Sequence, residues 1–429
     1  MGKDNTKEVL GQENVAIVQD DYATTRVPAH ERRSTTNIAF VTAGFCIAMS
    51  GLYTGSALAA GLSFREAIIS ALIGNLILAI FGGTIGAAGS KEGLSSARLA
   101  VYSFGAQGFK IVSFVLALTM AGWFSVQSGL FGHAINAMFP QAGFITEPHV
   151  AAVWGGLLML LTAYFGYKGI EILSYLAVPL ITILAIIGVF KSIDSAGGWQ
   201  STMEIVPVEN ITVGAGIVMV VGSFAAGSSA QADIARYAKN PKAAWIGSIV
   251  GYLVANTFII VAGYLTTLCT SLDLPNAMLA LGLGFPAVLI LILAQWTTND
   301  NNLYTSSLGF ANIFKLQRRH WVLLIGIVGS LLAGIGVADY FSSWLSILGI
   351  GIPPMAGIII ADYYLVDRTK YSSDLQLPNW NLNALIAWAI ASVVGFAVKG
   401  GIASINSLIV AILVYTILMK TKLIKFNQE

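Results

Sequence analysis

The polar run AQWTTNDNNLY, residues 294–304, concentrates more groups able to bind a ligand than its surroundings do. It follows the apolar segment FPAVLILIL and precedes the largely apolar LYTSSLGFANIFKL. An ionisable side chain at the centre of a membrane helix costs roughly 2.5–3.5 kcal/mol, so such a cluster usually faces a cavity. The alternative is a helix end at the cytoplasmic surface, but the apolar continuation favours a buried binding site.

A second unusual stretch, VGSFAAGSSAQAD at residues 221–233, contains three serines and two glycines between apolar segments. Glycine costs about 1 kcal/mol relative to alanine inside a helix, so a local reason is needed. One interpretation is an unwound turn whose freed peptide groups line a polar cavity and bind an ion or substrate. The other is a small-residue packing face with hydroxyls bonded to the preceding turn. The stretch alone favours neither.

Composition identifies the molecule that must position these groups. Of 429 residues, 56% are hydrophobic and 10% are charged, with a mean hydropathy of +0.76. Soluble domains carry about 25% charged residues, so we predict an all-α integral membrane protein. The basic residues are dispersed, which argues against nucleic-acid binding. The two cysteines and four histidines are too few and too scattered for a disulfide framework or a zinc site.

Twelve membrane spans are predicted, because a bilayer core of about 30 Å needs about 20 apolar residues per helix. They cover residues 36–61, 66–89, 109–139, 149–166, 170–190, 211–235, 243–269, 277–306, 321–338, 341–365, 381–398 and 403–420. The polar residues 1–33 and 421–429 are predicted tails of a transporter domain at 34–420. The joint between spans four and five rests on Lys168 and Glu171.

The Lys and Arg distribution predicts that both termini are cytoplasmic. The loops assigned to the cytoplasm carry Lys91, Arg98, Lys110, Lys168, Arg236, Lys239, Lys242, Lys315, Arg318, Arg319, Arg368 and Lys370. The opposite loops carry only Arg65, Lys191 and Lys399.

Span one contains a glycine-rich stretch, TAGFCIAMSGLYTGSALAAG, that parallels the stretch in span six. Two glycine-interrupted spans in matching positions of two halves predict an inverted-repeat transporter with broken helices one and six. The repeats would cover residues 36–190 and 211–365, with two extra helices at 381–420. A weak sequence similarity between GNL at 74–76 and GYL at 251–253 supports this pairing.

Four motifs resemble one known family: WTTNDNNLYTSSLGFANI, VVGSFAAGSSAQADIARYAKN, AGWFSVQSGLF and IPPMAGIIIADYYLVDRTKY. Together they are similar to the bacterial cytosine permeases of the purine and pyrimidine branch of the nucleobase cation symporters, over residues 34–420. The resemblance implies twelve helices and a five-plus-five inverted repeat of the leucine-transporter type. It also implies sodium-coupled import of a neutral nucleobase by alternating access, and no enzymatic activity.

The resemblance also implies two sites. Sodium would be bound by carbonyls of the broken first helix and by a carbonyl and two hydroxyls of the eighth, which match Gly44, Ile47, Ala294, Thr297 and Thr298. The base would lie between aromatic rings that match Trp123 and Phe224. Polar recognition would fall to the backbone from Ser223 through Ala225 to Gly227, and to the side chains of Asn299 and Gln127. No other cofactor is implied.

Three positions depart from the cytosine permeases. Met120 and Ala226 stand where that group has Gln and Ser, and Ala294 stands where it has Asn. Gln127, four residues after the tryptophan, and Ala294 are closer to the hydantoin-transporting branch. A purine, hydantoin or allantoin, thiamine precursor or nucleoside is therefore an alternative substrate, and a polytopic membrane enzyme is a remote alternative.

Three carboxylates complete the candidates. Asp233 and Asp362 mark the cytoplasmic ends of spans six and ten, where they could belong to an inner gate; a local ion pair with Arg236 also explains Asp233. Asp300 could bind a proton, which would make the symport proton-driven, or it could have a structural role, which we favour. The sequence leaves the oligomeric state open.

Overall fold

The computed structural model describes residues 25–165, 167–314, 316–367, 371 and 377–421, with side chains except at 165, 167–176 and 312. Residues 1–24 of the predicted N-terminal tail and 422–429 of the C-terminal tail lie outside these ranges. The side chains of Lys168, Glu171, Lys315, Arg368 and Lys370, used above for topology, also lie outside them. In the described part, the regular structure is helical, apart from an isolated bridge between Arg33 and Ala238.

Each predicted span coincides with a helix. Span one is α1 (Thr35–Cys46) plus α2 (Met49–Ala59), and α3 (Phe64–Glu92) and α4 (Ser96–Phe104) follow it. Next come α5 (Phe109–Met138), α6 (Pro148–Phe165), α7 (Tyr167–Ser195), α8 (Trp199–Glu204), α9 (Val213–Ser229) and α10 (Gln231–Ala235). The remainder are α11 (Pro241–Thr270), α12 (Leu274–Ala280), α13 (Gly284–Ile313), α14 (Arg318–Gly334), α15 (Val337–Val366), α16 (Leu382–Ala397) and α17 (Ala403–Thr421).

The all-α membrane fold is confirmed. Within the described residues, six helices are long and apolar enough to cross a bilayer, or seven when the bent pair in span one counts as a single span. Three shorter apolar helices match spans four, six and eleven. The sequence did not predict α4, α8 and α12 as separate helices, because they are short. Helices α4 and α8 lie between predicted spans, and α12 overlaps the start of predicted span eight.

The break in span one lies where the glycine-rich stretch predicts it. Helices α1 and α2 meet at 53°. Between them, Ile47 has φ −79° and ψ 79°, and Ala48 is extended. The amide of Ala48 therefore donates to Cys46 and not to Gly44, which interrupts the helical ladder.

The break in span six lies elsewhere than predicted. Helix α9 continues to Ser229, so unwinding across Gly222–Ser229 is wrong, and the interruption falls at Ala230. Two of the serine hydroxyls bond to their own helix, Ser223 to the Val220 carbonyl at 2.7 Å and Ser229 to the Ala225 carbonyl at 2.8 Å. The packing-face interpretation is therefore the correct one for this stretch.

The two repeats pack with matching contacts. Val220 of span six fills the space that a side chain at Gly74 of span two would need. In the other half, Thr42 of span one fills the corresponding space at Gly251 of span seven. The GNL and GYL sequences thus mark equivalent helix crossings, as an inverted repeat requires.

The N-terminal segment meets the ends of spans two and six at one end of the molecule. Arg32 donates to the carbonyls of Ser90, after span two, and of Ala238, after span six. The amide of Val27 bonds to Gly93 at 3.0 Å, so the described part of the N-terminal segment lies against these helix ends. At the other end, Glu209 bonds to Ala60 at 2.8 Å, joining the loops after spans one and five.

Candidate functional site

Trp123 and Phe224, the two aromatic residues predicted to hold a flat ligand, are both buried inside the helix bundle. Trp123 is 6% exposed and Phe224 is 7% exposed. Phe224 meets the rings of Phe45 and Tyr252 edge-on, at centroid distances of 5.5 and 6.1 Å.

Trp123 meets two rings of span ten in the same way. Its centroid lies 6.1 Å from that of Phe341 and 6.2 Å from that of Trp344, with steep interplanar angles. Since edge-on contacts fix an indole without covering it by a parallel ring, Trp123 is held in orientation by the N-terminal part of α15.

The two amides predicted for recognition both carry an oxygen without a partner. Asn299 uses its amide nitrogen to bridge to span three, donating to the Phe124 carbonyl and to Ser128 Oγ at 3.0 Å each. Among the described residues, no group hydrogen-bonds to Asn299 Oδ1 or to Gln127 Oε1, although both atoms are buried. A buried acceptor without a partner is costly, so both oxygens can serve a ligand's N–H groups.

The backbone from Ser223 through Ala225 to Gly227 lies inside α9. Its peptide groups are helical, so they do not form the unwound recognition turn that was expected. Gly227 instead gives room to the Phe45 ring, which a side chain at that position would meet. In this structure, the contribution of this stretch to the site is the Phe224 ring.

The predicted ion ligands in span one are free carbonyl groups. Gly44 and Ile47 lie at the break, and within the described residues no backbone amide donates to either oxygen. A Cβ atom added at Gly44 would have no neighbouring atom within 4 Å. Because a carbonyl released from a helix ladder keeps both lone pairs, these two oxygens can bind a cation.

The candidate ligands in span eight converge on one oxygen. Thr297 and Thr298 are neighbours, which points their side chains about 100° apart on a helix. Their hydroxyls nevertheless both donate to the Ala294 carbonyl, at 2.8 and 3.0 Å. Both hydroxyl oxygens therefore lie beside a single point on the helix surface, with lone pairs available to an ion.

Asp300 faces span four. Its Oδ1 accepts from Thr162 Oγ1 at 2.9 Å, and the same hydroxyl accepts from the Trp296 indole at 2.9 Å. Asp300 is 3% exposed and lies about 200° around the helix from Thr298. The carboxylate thus connects spans four and eight.

The other two carboxylates hold helix ends together. Asp233 Oδ1 accepts from the Ser96 amide at 2.8 Å, and Arg236 Nε donates to the Asp233 main-chain carbonyl at 3.2 Å. Asp362 is fully buried and accepts from the hydroxyls of Tyr415, at 2.6 Å, and Tyr371. These contacts connect the C-terminal ends of spans six and ten to the loop helix α4 and to α17.

Gln295 is a buried polar residue that was not selected from the sequence. It is 0% exposed, and neither amide atom has a hydrogen-bond partner among the described residues. Its spacing in the sequence could have identified it, since residues 295, 299 and 302 lie on one helical face. In the described chain, no group of three His, Cys, Asp or Glu side chains could hold a metal ion.

Comparison with known proteins agrees with this architecture. Residues 26–418 match the family model described as permease for cytosine/purines, uracil, thiamine, allantoin. The cytosine permease of Escherichia coli strain K12 is 33% identical over 308 residues, which are 72% of each chain.

Two solved structures of Mhp1, a nucleobase-cation-symport-1 family transporter, share the fold. Its inward-facing conformation gives a TM-score of 0.81 at 21% identity, covering 92% of each chain. Its closed conformation with bromovinylhydantoin bound gives 0.73 at 20% identity, covering 95% of this chain and 97% of Mhp1.

Proposed function

Because the chain belongs to the family of permeases for cytosine/purines, uracil, thiamine and allantoin, we propose that it imports a neutral nucleobase, cytosine foremost, by sodium-coupled symport with alternating access. The chain is a multi-pass membrane transporter and not an enzyme. The 33% identical relative is a cytosine permease, which supports cytosine as the first substrate to test. We place the protein in the cell membrane with both termini in the cytoplasm, as the basic loops favour.

Two kinds of buried group carry the substrate proposal, namely the aromatic rings of Trp123 and Phe224 and the unpartnered oxygens of Gln127 and Asn299. Trp123 and Phe224 come from spans three and six, and they would hold the faces of a flat ring. Stacking of this kind contributes about 1–3 kcal/mol per base in other base-binding proteins. Gln127 Oε1 and Asn299 Oδ1 would accept the N–H groups at the ring edge.

Sodium would bind where span one breaks beside span eight. The carbonyls of Gly44 and Ile47 would approach from span one, and Ala294, Thr297 and Thr298 from span eight. Neutral hard oxygen ligands suit a monovalent cation that must be released again. The direction of Asp300, towards span four, favours a structural carboxylate over a proton carrier.

One coupled sodium ion suffices to concentrate a neutral base. A tenfold sodium gradient supplies about 1.4 kcal/mol, and a 100 mV potential supplies about 2.3 kcal/mol per charge. Together they supply roughly 3.7 kcal/mol, which corresponds to several-hundredfold accumulation.

Uptake into proteoliposomes tests this function. Purified protein should accumulate labelled cytosine when sodium is imposed outside, and it should not do so when potassium replaces sodium. A proton gradient without sodium should also be ineffective. Equal uptake in potassium would exclude sodium coupling, and uptake driven by protons alone would establish the alternative ion.

The Thr298→Val variant tests the ion ligands. Valine keeps the side-chain shape but removes the hydroxyl oxygen, so the sodium concentration for half-maximal uptake should rise at least tenfold. Thr416→Val is the matched control, because the Thr416 hydroxyl bonds only to its own helix in α17, at 2.6 Å from the Ile412 carbonyl. Identical sodium dependence of the two variants would remove Thr298 from the site.

A hydantoin-type heterocycle is the second candidate substrate. It is favoured by Gln127 and Ala294, and by the bromovinylhydantoin bound to the closed structure with the same fold. Purines, allantoin and thiamine precursors share the required flat, neutral ring. A thermal-shift panel of cytosine, uracil, adenine, hydantoin and allantoin ranks them, and stabilisation by hydantoin but not cytosine would replace our first choice.

A further inference from the structure

Among the described residues, Gln295 is the side chain with two buried polar atoms that both lack a hydrogen-bond partner. Its residue is 0% exposed, and both Oε1 and Nε2 are buried without a hydrogen bond to any described residue. A buried carboxamide without partners is unfavourable, so natural proteins keep one where a ligand or an ordered water completes it. Packing alone would be served better by Leu or Met.

The contacts of neighbouring residues locate Gln295. Helix α13 runs antiparallel to α5, since Ser306 Oγ donates to the Ala117 carbonyl at 2.7 Å while Asn299 reaches Phe124 and Ser128. Residues 295, 299 and 306 share one helical face. Gln295 therefore lies one turn beyond Asn299, beside the part of α5 that carries Ser128.

That part of α5 also carries Gln127, whose Oε1 is likewise unpartnered. Ser128 is already engaged, because its hydroxyl donates to the Phe124 carbonyl at 2.8 Å and accepts from Asn299. Two carboxamides with free hydrogen-bonding atoms thus come from two helices that pack against each other.

We propose that Gln295 is a specificity-determining residue that binds the ring edge of the transported heterocycle, a position that rests on the function proposed above. A carboxamide presents a donor and an acceptor side by side, so it matches a ring edge that presents the complementary pair. Cyclic ureides such as hydantoin and uracil carry such edges, and so does cytosine. Together, Gln127 and Gln295 select a ring with two polar edges and discriminate against analogues methylated on a ring nitrogen.

The test compares Gln295→Met with a matched control. Methionine keeps the length and flexibility of the side chain but removes the carboxamide. The control is Asn75→Leu, since Asn75 is also buried but fully partnered, donating to Thr257 at 3.0 Å and accepting from Asn256 at 2.7 Å. Dissociation constants for cytosine, uracil, hydantoin and their N-methyl derivatives are measured by calorimetry, and ligand-free melting temperatures are measured in the same detergent.

Gln295→Met should bind the preferred heterocycle at least tenfold more weakly, with reduced discrimination against the N-methyl derivative. Its ligand-free melting temperature should equal or exceed that of the wild type, because no protein hydrogen bond is lost. Asn75→Leu should melt at a lower temperature but retain the wild-type selectivity. If Asn75→Leu is too unstable to purify, Gln295→Leu compared with Gln295→Met gives the same two readouts.

Two results overturn the proposal, and they are distinguishable. Wild-type affinity and selectivity in Gln295→Met would refute the role of Gln295 while leaving the transport function intact. Failure of the wild-type protein to bind any heterocycle in the panel would refute the proposed function, and the role of Gln295 with it.

Discussion

The polar side chains of α13 contact different neighbouring helices, depending on the helical face that each side chain occupies. Asn299 bonds to span three, Asp300 bonds to span four, and Thr297 and Thr298 bond to a carbonyl of their own helix. Consecutive residues point about 100° apart, so one polar run can serve several different faces. The carboxylate of Asp300 therefore joins two helices, while the proposed ligand and ion sites use neutral oxygens.

The prediction for single residues concerns Phe224. Phe224→Ala should weaken substrate binding by about 1–3 kcal/mol, or roughly fivefold to 150-fold, because the stacking surface is lost. Phe224→Tyr keeps that surface and should bind within a few-fold of the wild type. Binding is measured by calorimetry on protein that has been shown to be folded, since Phe224 also contacts Phe45 and Tyr252. Wild-type affinity in Phe224→Ala would place the substrate elsewhere.

At the scale of the helices, the crossing of α9 and α15 connects the helix that carries Phe224 to the N-terminal part of span ten. Gly222 lies against the Leu345 carbonyl and the Gly349 amide, and Gly349 lies against the Val218 carbonyl. The two backbones meet because neither glycine carries a side chain. The same helix α15 supplies Phe341 and Trp344 to the edge of Trp123, so movement of α15 would affect both aromatic candidates.

Gly222→Ala should separate these helices. The added methyl group would overlap the Leu345 carbonyl oxygen, which is backbone and cannot rotate away. We expect a loss of about 1–3 kcal/mol in stability, measured as the free energy of unfolding in detergent, together with reduced transport. Gly214→Ala on the same helix is the control, because its methyl group would approach no atom closer than 3.7 Å. Equal stability of both variants would contradict the close crossing.

Across the whole molecule, buried polar contacts join the two repeats and the added C-terminal helices at the end where the N-terminal segment lies. Asp362 accepts from Tyr415 of α17 and from Tyr371, and the Tyr371 hydroxyl lies 3.0 Å from Ser103 Oγ of α4. Tyr363 donates to Glu92 at the end of span two, at 2.7 Å. In the alternating access proposed above, helices move relative to one another, so the helix ends at this junction would move together or separate.

Labelling with a membrane-impermeant maleimide tests the orientation of this end. In a variant lacking Cys46 and Cys269, a cysteine introduced at Gln317 should react only after the membrane is permeabilised. A cysteine at Asn210, in the exposed loop before span six, should react in intact cells. Labelling at Gln317 in intact cells would show that the topology is inverted. Protection of the cysteine at Asn210 in intact cells would confirm that inversion independently.

The sequence alone determined the class of the protein, the positions of its apolar helices and the break in span one. These follow from local properties, since twenty apolar residues must be helical in lipid and a glycine-rich turn with nothing packed at Gly44 can open. It also selected Trp123, Phe224, Gln127 and Asn299 through spacing and resemblance.

Tertiary structure decided what the polar and small residues contact. Gly222 proved to be a packing contact and not an unwound turn, because Leu345 lies against it from a helix more than a hundred residues away. The same reason explains why Asp300 faces span four and why Gln295 was overlooked. A residue's type and local spacing fix which helical face it occupies, but only the packed bundle determines which partner, if any, lies opposite that face.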